Sequence, residues 1–189
     1  MDESLPKYLN SPETPLYSKS HVLYGLDKAK EQARKLKYFI IVDGYLDALA
    51  CHQYGARNAV ATLGTALTEG HLRLMRRFAQ NLVIIFDPDA AGVKAVLRSA
   101  GLFASSGMKV NVVSLPDGDD PGTFLKKRGS EAFAACLKGS VKYMDFIQGQ
   151  VVKDGAAAPI DAKVESAAEM LGYIAKLPSG IERDHYLKR

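Results

Sequence analysis

Aspartates that follow apolar runs are the residues of this sequence best suited to chemistry. Six of them lie behind such runs: Asp43, Asp87, Asp89, Asp117, Asp119 and Asp120. Asp87 and Asp89 are separated by one residue, so both carboxylates can point at one hard cation such as Mg²⁺. Crowded carboxylates repel each other unless a cation lies between them. The spacing therefore predicts a metal site. Asp89 could also cap a helix that starts at Ala90, and the two roles are compatible.

The segments that must position these aspartates alternate between strand and helix patterns. The predicted strands cover residues 38–42, 58–63, 82–86 and 109–115, and the predicted helices cover 25–37, 45–54, 68–79 and 90–105. Thr68 is the predicted N-cap of the third helix. This alternation predicts an α/β fold with a mostly parallel sheet and helices on both faces. Ligands bind at the carboxyl ends of such strands, which is where the six aspartates lie.

The rest of the sequence lacks this alternation. Residues 1–20 are polar, carry three prolines and predict an extended segment. Helical spacing recurs beyond residue 130, over residues 131–137, 141–152, 160–177 and 181–189, with an Ala/Gly/Pro linker at 154–159. Residues 140–189 are therefore interpreted as a small helical subdomain.

Composition narrows the class of protein. The chain has 189 residues and a net charge of +4, which fits one domain with a small satellite and is compatible with nucleic-acid binding. Its apolar runs are too short to span a bilayer and no signal peptide is visible, so we expect a cytoplasmic protein that contacts no membrane. The two cysteines have no metal-ligand spacing. The four histidines are scattered, and we expect surface or packing roles for them. The basic run 126–128 is expected to be solvated.

Several segments resemble known motifs. Residues 39–47 and 86–92 resemble the two acidic motifs of Toprim domains, the second being Asp-x-Asp followed by Ala-Gly. Four further segments are similar to bacterial DnaG-type DNA primases in particular: residues 10–19, 23–26, 59–66 and 115–121. The resemblance covers about residues 10–140 and weakens over the helical tail. The combination is specific, whereas Asp-x-Asp alone would not be.

This resemblance implies a Toprim-type catalytic core in three parts. Residues 1–36 would be a remnant of the basic N-terminal subdomain, 37–139 the Toprim domain and 140–189 the helical subdomain. Such primases are nucleotidyltransferases that make short RNA primers on single-stranded DNA. The implied cofactor is Mg²⁺ or Mn²⁺. The implied partners are the DNA template, ribonucleoside triphosphates and, for the full-length protein, a replicative helicase.

The resemblance also carries residue roles over by position. Asp87 and Asp89 match metal-ligand aspartates, and Asp120 matches a further acidic position of the metal site. Asn10 and Lys19 match positions on the basic side of the cleft that contact template or nucleotide. These roles suit the chemistry, because phosphoryl transfer needs a metal to neutralise the reacting phosphates and template binding needs cations along a groove.

Two positions depart from the family motifs. Asp43 stands where the first motif has its catalytic glutamate. It is one methylene shorter, and a displacement of about 1 Å can cost roughly a hundredfold in rate. Gly122 stands where an acidic residue is usual, two residues after Asp120, although Asp119 could compensate. We therefore expect an intact first metal position and a weakened second one.

These departures keep alternatives to an active primase open. A catalytically degenerate Toprim module would bind nucleic acid or a partner without catalysis. A Toprim topoisomerase or nuclease is disfavoured by segment 10–19 and by the lack of a candidate tyrosine nucleophile. A response-regulator-like domain would also cluster aspartates, but it would not explain the matches at 63–65 and 116–121.

Both ends of the sequence stop without the signals of a finished domain, so we expect a fragment of a longer protein. We recognise neither a zinc-binding module nor a helicase-binding tail in it, and most of the basic N-terminal subdomain is missing. Weak DNA binding by this chain alone is therefore expected at about 150 mM salt.

Overall fold

The computed structural model describes residues 12–15, 17–86, 90–156 and 159–188, with only the backbone of 90, 91 and 151–156. Its helices and strands are, in chain order, α1 (Leu26–Leu36), β1 (Tyr38–Val42), α2 (Tyr45–Gln53), β2 (Ala59–Ala61), α3 (Glu69–Arg76), β3 (Asn81–Ile85), α4 (Ala90–Arg98), α5 (Ala100–Ser106), β4 (Lys109–Val113), α6 (Pro121–Lys138), β5 (Val141–Lys142), α7 (Tyr143–Ala156), α8 (Ile160–Ala175) and α9 (Gly180–Leu187). None of these helices is long and apolar enough to cross a membrane.

The strands form one five-stranded sheet in the order β2-β1-β3-β4-β5. Strands β1 to β4 are parallel, and the short edge strand β5 runs antiparallel along β4. Ile41 of β1 lies opposite Val60 on one side and Ile84 on the other. The predicted mostly parallel sheet is confirmed. Its parallel strands end at one edge, and the loops that follow β1 to β4 lie there.

Helices cover both faces of the sheet because its central strands β1 and β3 are apolar on both faces. Phe39 and Ile41 belong to one buried cluster, which includes residues of α1, α3, α5 and α7. Ile40 and Val42 belong to a second cluster with α2 and α6. Alternate side chains of a strand point to opposite faces, so the continuous apolar run of β1 fills both cores.

The described parts of α7, α8 and α9 join the first of these cores. Tyr143 of α7 contacts Phe103 of α5 edge to face, with ring centroids 5.5 Å apart. Ile174 of α8 and Tyr186 of α9 belong to the same buried cluster as the sheet. The helical tail is therefore packed against the α/β layers. The division of the chain into three parts stays a prediction.

Several element boundaries differ from the predicted ones. The predicted helix 90–105 is divided into α4 and α5 at Ser99, whose hydroxyl donates to a carbonyl one turn earlier and so competes with the helix. The predicted helix 131–137 is the last part of α6, which is interrupted at Gly129 with a left-handed φ of 77°. The first two residues of the predicted helix 141–152 pair with β4 instead and form β5.

Candidate functional site

Three carboxylates meet at the carboxyl edge of the sheet. Asp43 follows β1, Asp47 lies in the first turn of α2, and Asp120 is the N-cap residue of α6. The pKa of Asp47 is raised, first because its half-buried side chain loses solvation, and then because of the negative charges of Asp120 and Asp43. Asp43 and Asp120, which the sequence analysis singled out, therefore lie in one electrostatic cluster, and Asp47 joins them.

Backbone groups hold Asp47 at this edge. Its Oδ1 accepts a hydrogen bond from the N–H of Gly122, with an N···O distance of 3.3 Å. The N–H groups of Gly122 and Gly44 lower the pKa of Asp47, but they do not outweigh its desolvation. A nearby cation would favour the charged carboxylate. The sequence analysis did not assign Asp47 a role. Its spacing gave no signal, because Asp43 lies before α2 and the two residues do not share a helix.

Asp120 has a structural role as well as a place in the cluster. Its Oδ1 accepts from the backbone N–H of Thr123 at 2.6 Å, and its Oδ2 accepts from the Thr123 hydroxyl at 3.1 Å. This is the N-cap arrangement that starts α6. A carboxylate has about four lone-pair sites, and Asp120 is exposed, so it can cap the helix and still bind a cation.

Gly122 lies beside both helix-terminal carboxylates. A Cβ atom added to it would lie 3.3 Å from Asp120 Oδ1 and 3.6 Å from Asp47 Oδ1. A side chain at position 122 would therefore start next to the cluster. Glycine supplies no oxygen there beyond its backbone.

The other two aspartates before α6 bind basic side chains. Asp117 pairs with Arg128 at 2.5 Å, and Asp119 pairs with Lys127 at 2.6 Å. The expectation that the run 126–128 is solvated is confirmed, since all three residues are exposed, and two of its side chains also pair with the preceding loop. The second oxygen of Asp119 is buried and has no hydrogen-bond partner within the described ranges. Asp119 is therefore paired with Lys127 through only one of its two carboxylate oxygens.

Three of the predicted site residues lie outside the described residues: Asn10, Asp87 and Asp89. In the chain, Asp87 and Asp89 stand between β3 and α4. Among the residues that are described, no three His, Cys, Asp or Glu side chains form a ready metal-binding group. The metal roles of Asp87, Asp89 and Asp120 stay predictions.

Lys19 lies in a turn that is bound to the start of α3. Its N–H donates to Glu13 Oε1 at 2.9 Å, and its carbonyl accepts from His71 Nε2 at 2.7 Å. A few residues later, the ring of Tyr24 packs against that of Tyr45 in α2, with centroids 5.2 Å apart. Helices α2 and α3 both begin at the carboxyl edge, so these contacts hold the N-terminal segment beside it.

Helix α3 begins with a capping box. Thr68 is its N-cap residue, as predicted, and the Thr68 hydroxyl accepts from the N–H of His71. In return, the ring of His71 accepts from the N–H of Thr68. The packing role expected of the histidines is confirmed for His71, which is fully buried. The Thr-x-x-His spacing, similar to the usual capping box, was the signal for its specific partner.

Comparison with protein families finds three matching segments. Residues 40–125 match a family described as Toprim-like, and residues 1–30 match the N-terminal domain of the DNA primase catalytic core. Residues 150–189 match the DnaB-helicase binding domain of primase. This last match contradicts the expectation that the sequence carries no helicase-binding segment. That region shows only generic helical spacing in a single sequence, so its composition gave no sign of a partner.

DNA primases match nearly the whole chain. The DNA primase of Myxococcus xanthus is 37% identical over 179 residues, covering 94% of this chain and 30% of that protein. The crystal structure of a DNA primase domain from Pseudomonas aeruginosa has a TM-score of 0.85 and 34% identity, covering 97% of this chain and 58% of that one. A DnaG primase catalytic domain bound to single-stranded DNA has a TM-score of 0.83 and 32% identity, covering 97% and 60%. The chain spans 30–32% of the length of the first curated relatives it matches.

Proposed function

Because this chain belongs to the bacterial DnaG-type DNA primase family, we propose that it is part of a catalytic core that synthesises short RNA primers on single-stranded DNA. The observation that carries this proposal is the carboxylate cluster at the carboxyl edge of a primase-like sheet. The reaction would be nucleotidyl transfer from ribonucleoside triphosphates in the cytoplasm. The runner-up function is a catalytically degenerate Toprim module. It is favoured by the shorter carboxylic acid at Asp43 and by the missing carboxylate at Gly122.

The donor set at this edge fits a hard divalent cation. Asp47 and Asp120 offer carboxylate oxygens, which Mg²⁺ and Mn²⁺ prefer. A cation would also relieve the repulsion that helps to raise the pKa of Asp47. We assign Asp87, Asp89 and Asp120 to Mg²⁺ or Mn²⁺, and we add Asp47 to them. Such an ion, when bound, neutralises charge on the reacting phosphates and helps to align the attacking hydroxyl.

The remaining roles are assigned to residues around this cluster. Asp43 is exposed at the end of β1, and its carboxylate is proposed to accept a hydrogen bond from the attacking hydroxyl. Lys19 and Asn10 would bind phosphates of the template or the incoming nucleotide, since cationic and amide groups suit them. Residues 150–189 would bind the replicative helicase, as the matching family's description suggests.

The first test is calorimetric titration of this chain with Mn²⁺. We expect binding that is lost when Asp87→Ala and Asp89→Ala are combined, because two of the proposed ligands are removed. A matched control is Asp161→Ala in α8, which removes an exposed carboxylate from the helical tail. The control should bind Mn²⁺ like the parent chain.

A primer-synthesis assay on single-stranded DNA then separates the two functions. Binding of Mn²⁺ together with primer synthesis supports a catalytic core. Binding of Mn²⁺ and DNA without synthesis supports the degenerate module. If the double variant binds Mn²⁺ as well as the parent chain does, the metal site does not include Asp87 and Asp89, and the assignment is wrong.

A further inference from the structure

Two side chains at the start of α3, those of the N-cap residue Thr68 and of His71, bind consecutive carbonyl groups of the turn that carries Lys19. The Nε2 atom of His71 donates to the carbonyl of Lys19 at 2.7 Å. The hydroxyl of Thr68 donates to the carbonyl of Ser20 at 2.6 Å. These bonds join residues 52 and 48 positions apart in the sequence, so they are tertiary contacts that fix one segment on another. Both bonds go to the backbone of the turn and not to the lysine side chain.

The hydrogen-bond network defines which nitrogen of His71 carries the proton. The N–H of Thr68 donates to His71 Nδ1 at 3.2 Å, so Nδ1 must be the acceptor. A carbonyl oxygen can only accept, so Nε2 is the N–H group that binds Lys19. The Thr68 hydroxyl accepts from the N–H of His71 while it donates to Ser20. Thr68 and His71 therefore cap α3 and bind the turn at the same time.

The backbone of α3 itself comes close to this turn at Gly70. A Cβ atom added to Gly70 would lie 2.7 Å from the carbonyl oxygen of Ser20 and 2.8 Å from the ring of His21. Real Cβ atoms essentially never approach backbone oxygen so closely. A glycine at this position is what allows Thr68 and His71 to reach the turn.

We infer that Thr68 and His71 are positioning residues that hold the Lys19 turn at the acidic edge for nucleic-acid or nucleotide binding. The inference rests on the proposed function for the role of Lys19. Helix α3 begins at the same edge as α2 and α6, whose first turns carry Asp47 and Asp120. A turn bound to the start of α3 is therefore held at the same edge as the carboxylates that would bind the metal.

Trypsin cleavage after Lys19 measures the position of the turn without any nucleic acid. Binding of both carbonyls should protect this bond in the parent chain. His71→Leu removes one of the two bonds, and we expect cleavage there to be roughly tenfold faster. Cleavage after Arg57, in an exposed turn away from α3, serves as the internal reference and should not change. Thr68→Val tests the second bond in the same way if His71→Leu folds poorly.

Rescue distinguishes hydrogen bonding from packing. Glutamine at the third position of a helix can accept from the N-cap N–H in a capping box, and its amide can also donate. We therefore expect His71→Gln to restore protection after Lys19, although its volume differs from that of histidine. Leucine fills the same space without either bond. If His71→Gln is cleaved as fast as His71→Leu, the hydrogen bonds do not hold the turn.

Binding of fluorescent single-stranded DNA at about 50 mM salt then tests the functional consequence. We expect His71→Leu and Lys19→Ala each to weaken binding about threefold to tenfold, and their combination to be no weaker than Lys19→Ala alone. A purely structural role of His71 would make the two effects add.

The outcomes separate the inference from the proposed function. Faster cleavage with coupled losses of DNA binding supports positioning by His71. Unchanged cleavage overturns it, and so does normal DNA binding by His71→Leu when Lys19→Ala binds weakly. If Lys19→Ala binds DNA like the parent chain while His71→Leu is cleaved faster, the result supports the role of His71 in holding the turn. It contradicts the proposed role of Lys19 in binding DNA.

Discussion

At position 122 a single residue determines how many oxygens the acidic cluster offers. The Cβ atom of any larger residue would start beside Asp47 and Asp120. The backbone there is not in the left-handed region, so a side chain meets no conformational strain. Position 122 also lies in the first turn of α6, where the helix dipole favours a carboxylate. An aspartate at 122 is therefore compatible with the backbone, provided that the Asp120 side chain shifts by a few tenths of an ångström, and it would add a carboxylate to the cluster.

We expect Gly122→Asp to bind Mn²⁺ about tenfold more tightly than the parent chain, which corresponds to roughly 1.4 kcal/mol. Without a divalent cation, the same variant should unfold at a lower temperature, because the new carboxylate repels Asp47 and Asp120. Calorimetry measures the affinity, and thermal unfolding with and without Mn²⁺ measures the stability. Gly122→Asn is the matched control, since it has nearly the same shape without the charge. Equal Mn²⁺ affinities for the two variants would show that position 122 does not face a metal.

The sequence alone identified Asp43 and Asp120 as members of this cluster, but it did not identify Asp47. Asp43 and Asp120 could be identified because each follows a predicted strand. Asp47 has the appearance of an ordinary helix residue, and its hydrogen bond to Gly122 joins groups 75 positions apart. Such pairs arise when α2 packs against α6, and no local pattern in one sequence encodes them.

At the scale of elements, the start of α3 depends on a histidine that must stay neutral. His71 is fully buried, and its Nδ1 accepts a hydrogen bond from the N–H of Thr68. A proton on Nδ1 would remove that acceptor and leave two N–H groups facing each other. The pKa of His71 is lowered, first by burial and also by the nearby His21, and these effects outweigh its hydrogen bonds to the backbone of Lys19 and Val22, which raise the pKa. The capping box and the bound turn therefore require the uncharged ring.

We expect the thermal midpoint of the chain to fall as the pH drops below 6.5, and part of this fall to be missing in His71→Gln. The pKa of His71 is lowered in the folded chain from its ordinary value of 6.5. The unfolded chain therefore binds the proton at the higher pH. The stability that depends on the neutral ring is complete above 6.5 and is lost as the pH falls toward the lower, folded-state pKa.

Unfolding curves at a series of pH values between about 7.5 and 5 measure this difference around the ordinary histidine pKa. His185→Gln makes the same substitution at an exposed histidine and is the matched control for the substitution itself. Parallel pH profiles for His71→Gln and the parent chain would mean that His71 does not couple protonation to folding.

At the scale of the whole molecule, the alternating layers of strands and helices could be predicted from the sequence. The surfaces against which the helices of the tail pack could not. The runs 38–42 and 82–86 are apolar on both strand faces, so they predict strands covered by helices on both sides. The tail shows helical spacing but no pattern that says where its faces pack. In the structure, Ile174 and Tyr186 pack on the first core of the sheet, while other apolar side chains of the same helices stay exposed.

Helix α8 carries a stripe of these exposed apolar side chains. Ile160, Val164 and Leu171 are 71%, 60% and 51% exposed. Their spacings of four and seven residues place them on one face of the helix. The stripe lies within the segment that matches a DnaB-helicase binding domain. An amphipathic helix with an uncovered apolar face is a suitable ligand for a groove on a partner, so we propose that this stripe contacts the replicative helicase.

Combining Val164→Glu with Leu171→Glu should weaken binding of the replicative helicase at least about tenfold, since buried apolar anchors dominate such contacts. Both side chains are exposed, so the free energy of unfolding should change by no more than about 0.5 kcal/mol for each substitution. Helicase immobilised on a sensor surface provides the measurement, with thermal unfolding as the check on folding.

The control combines Asp161→Ala with Glu165→Ala, which alters charges on another side of α8 and should leave binding unchanged. If the stripe variant binds like the parent chain, the helicase contacts a different surface of residues 150–189 or none of it. Equal losses in the stripe variant and the control would instead indicate a contact that depends on charge rather than on the apolar face.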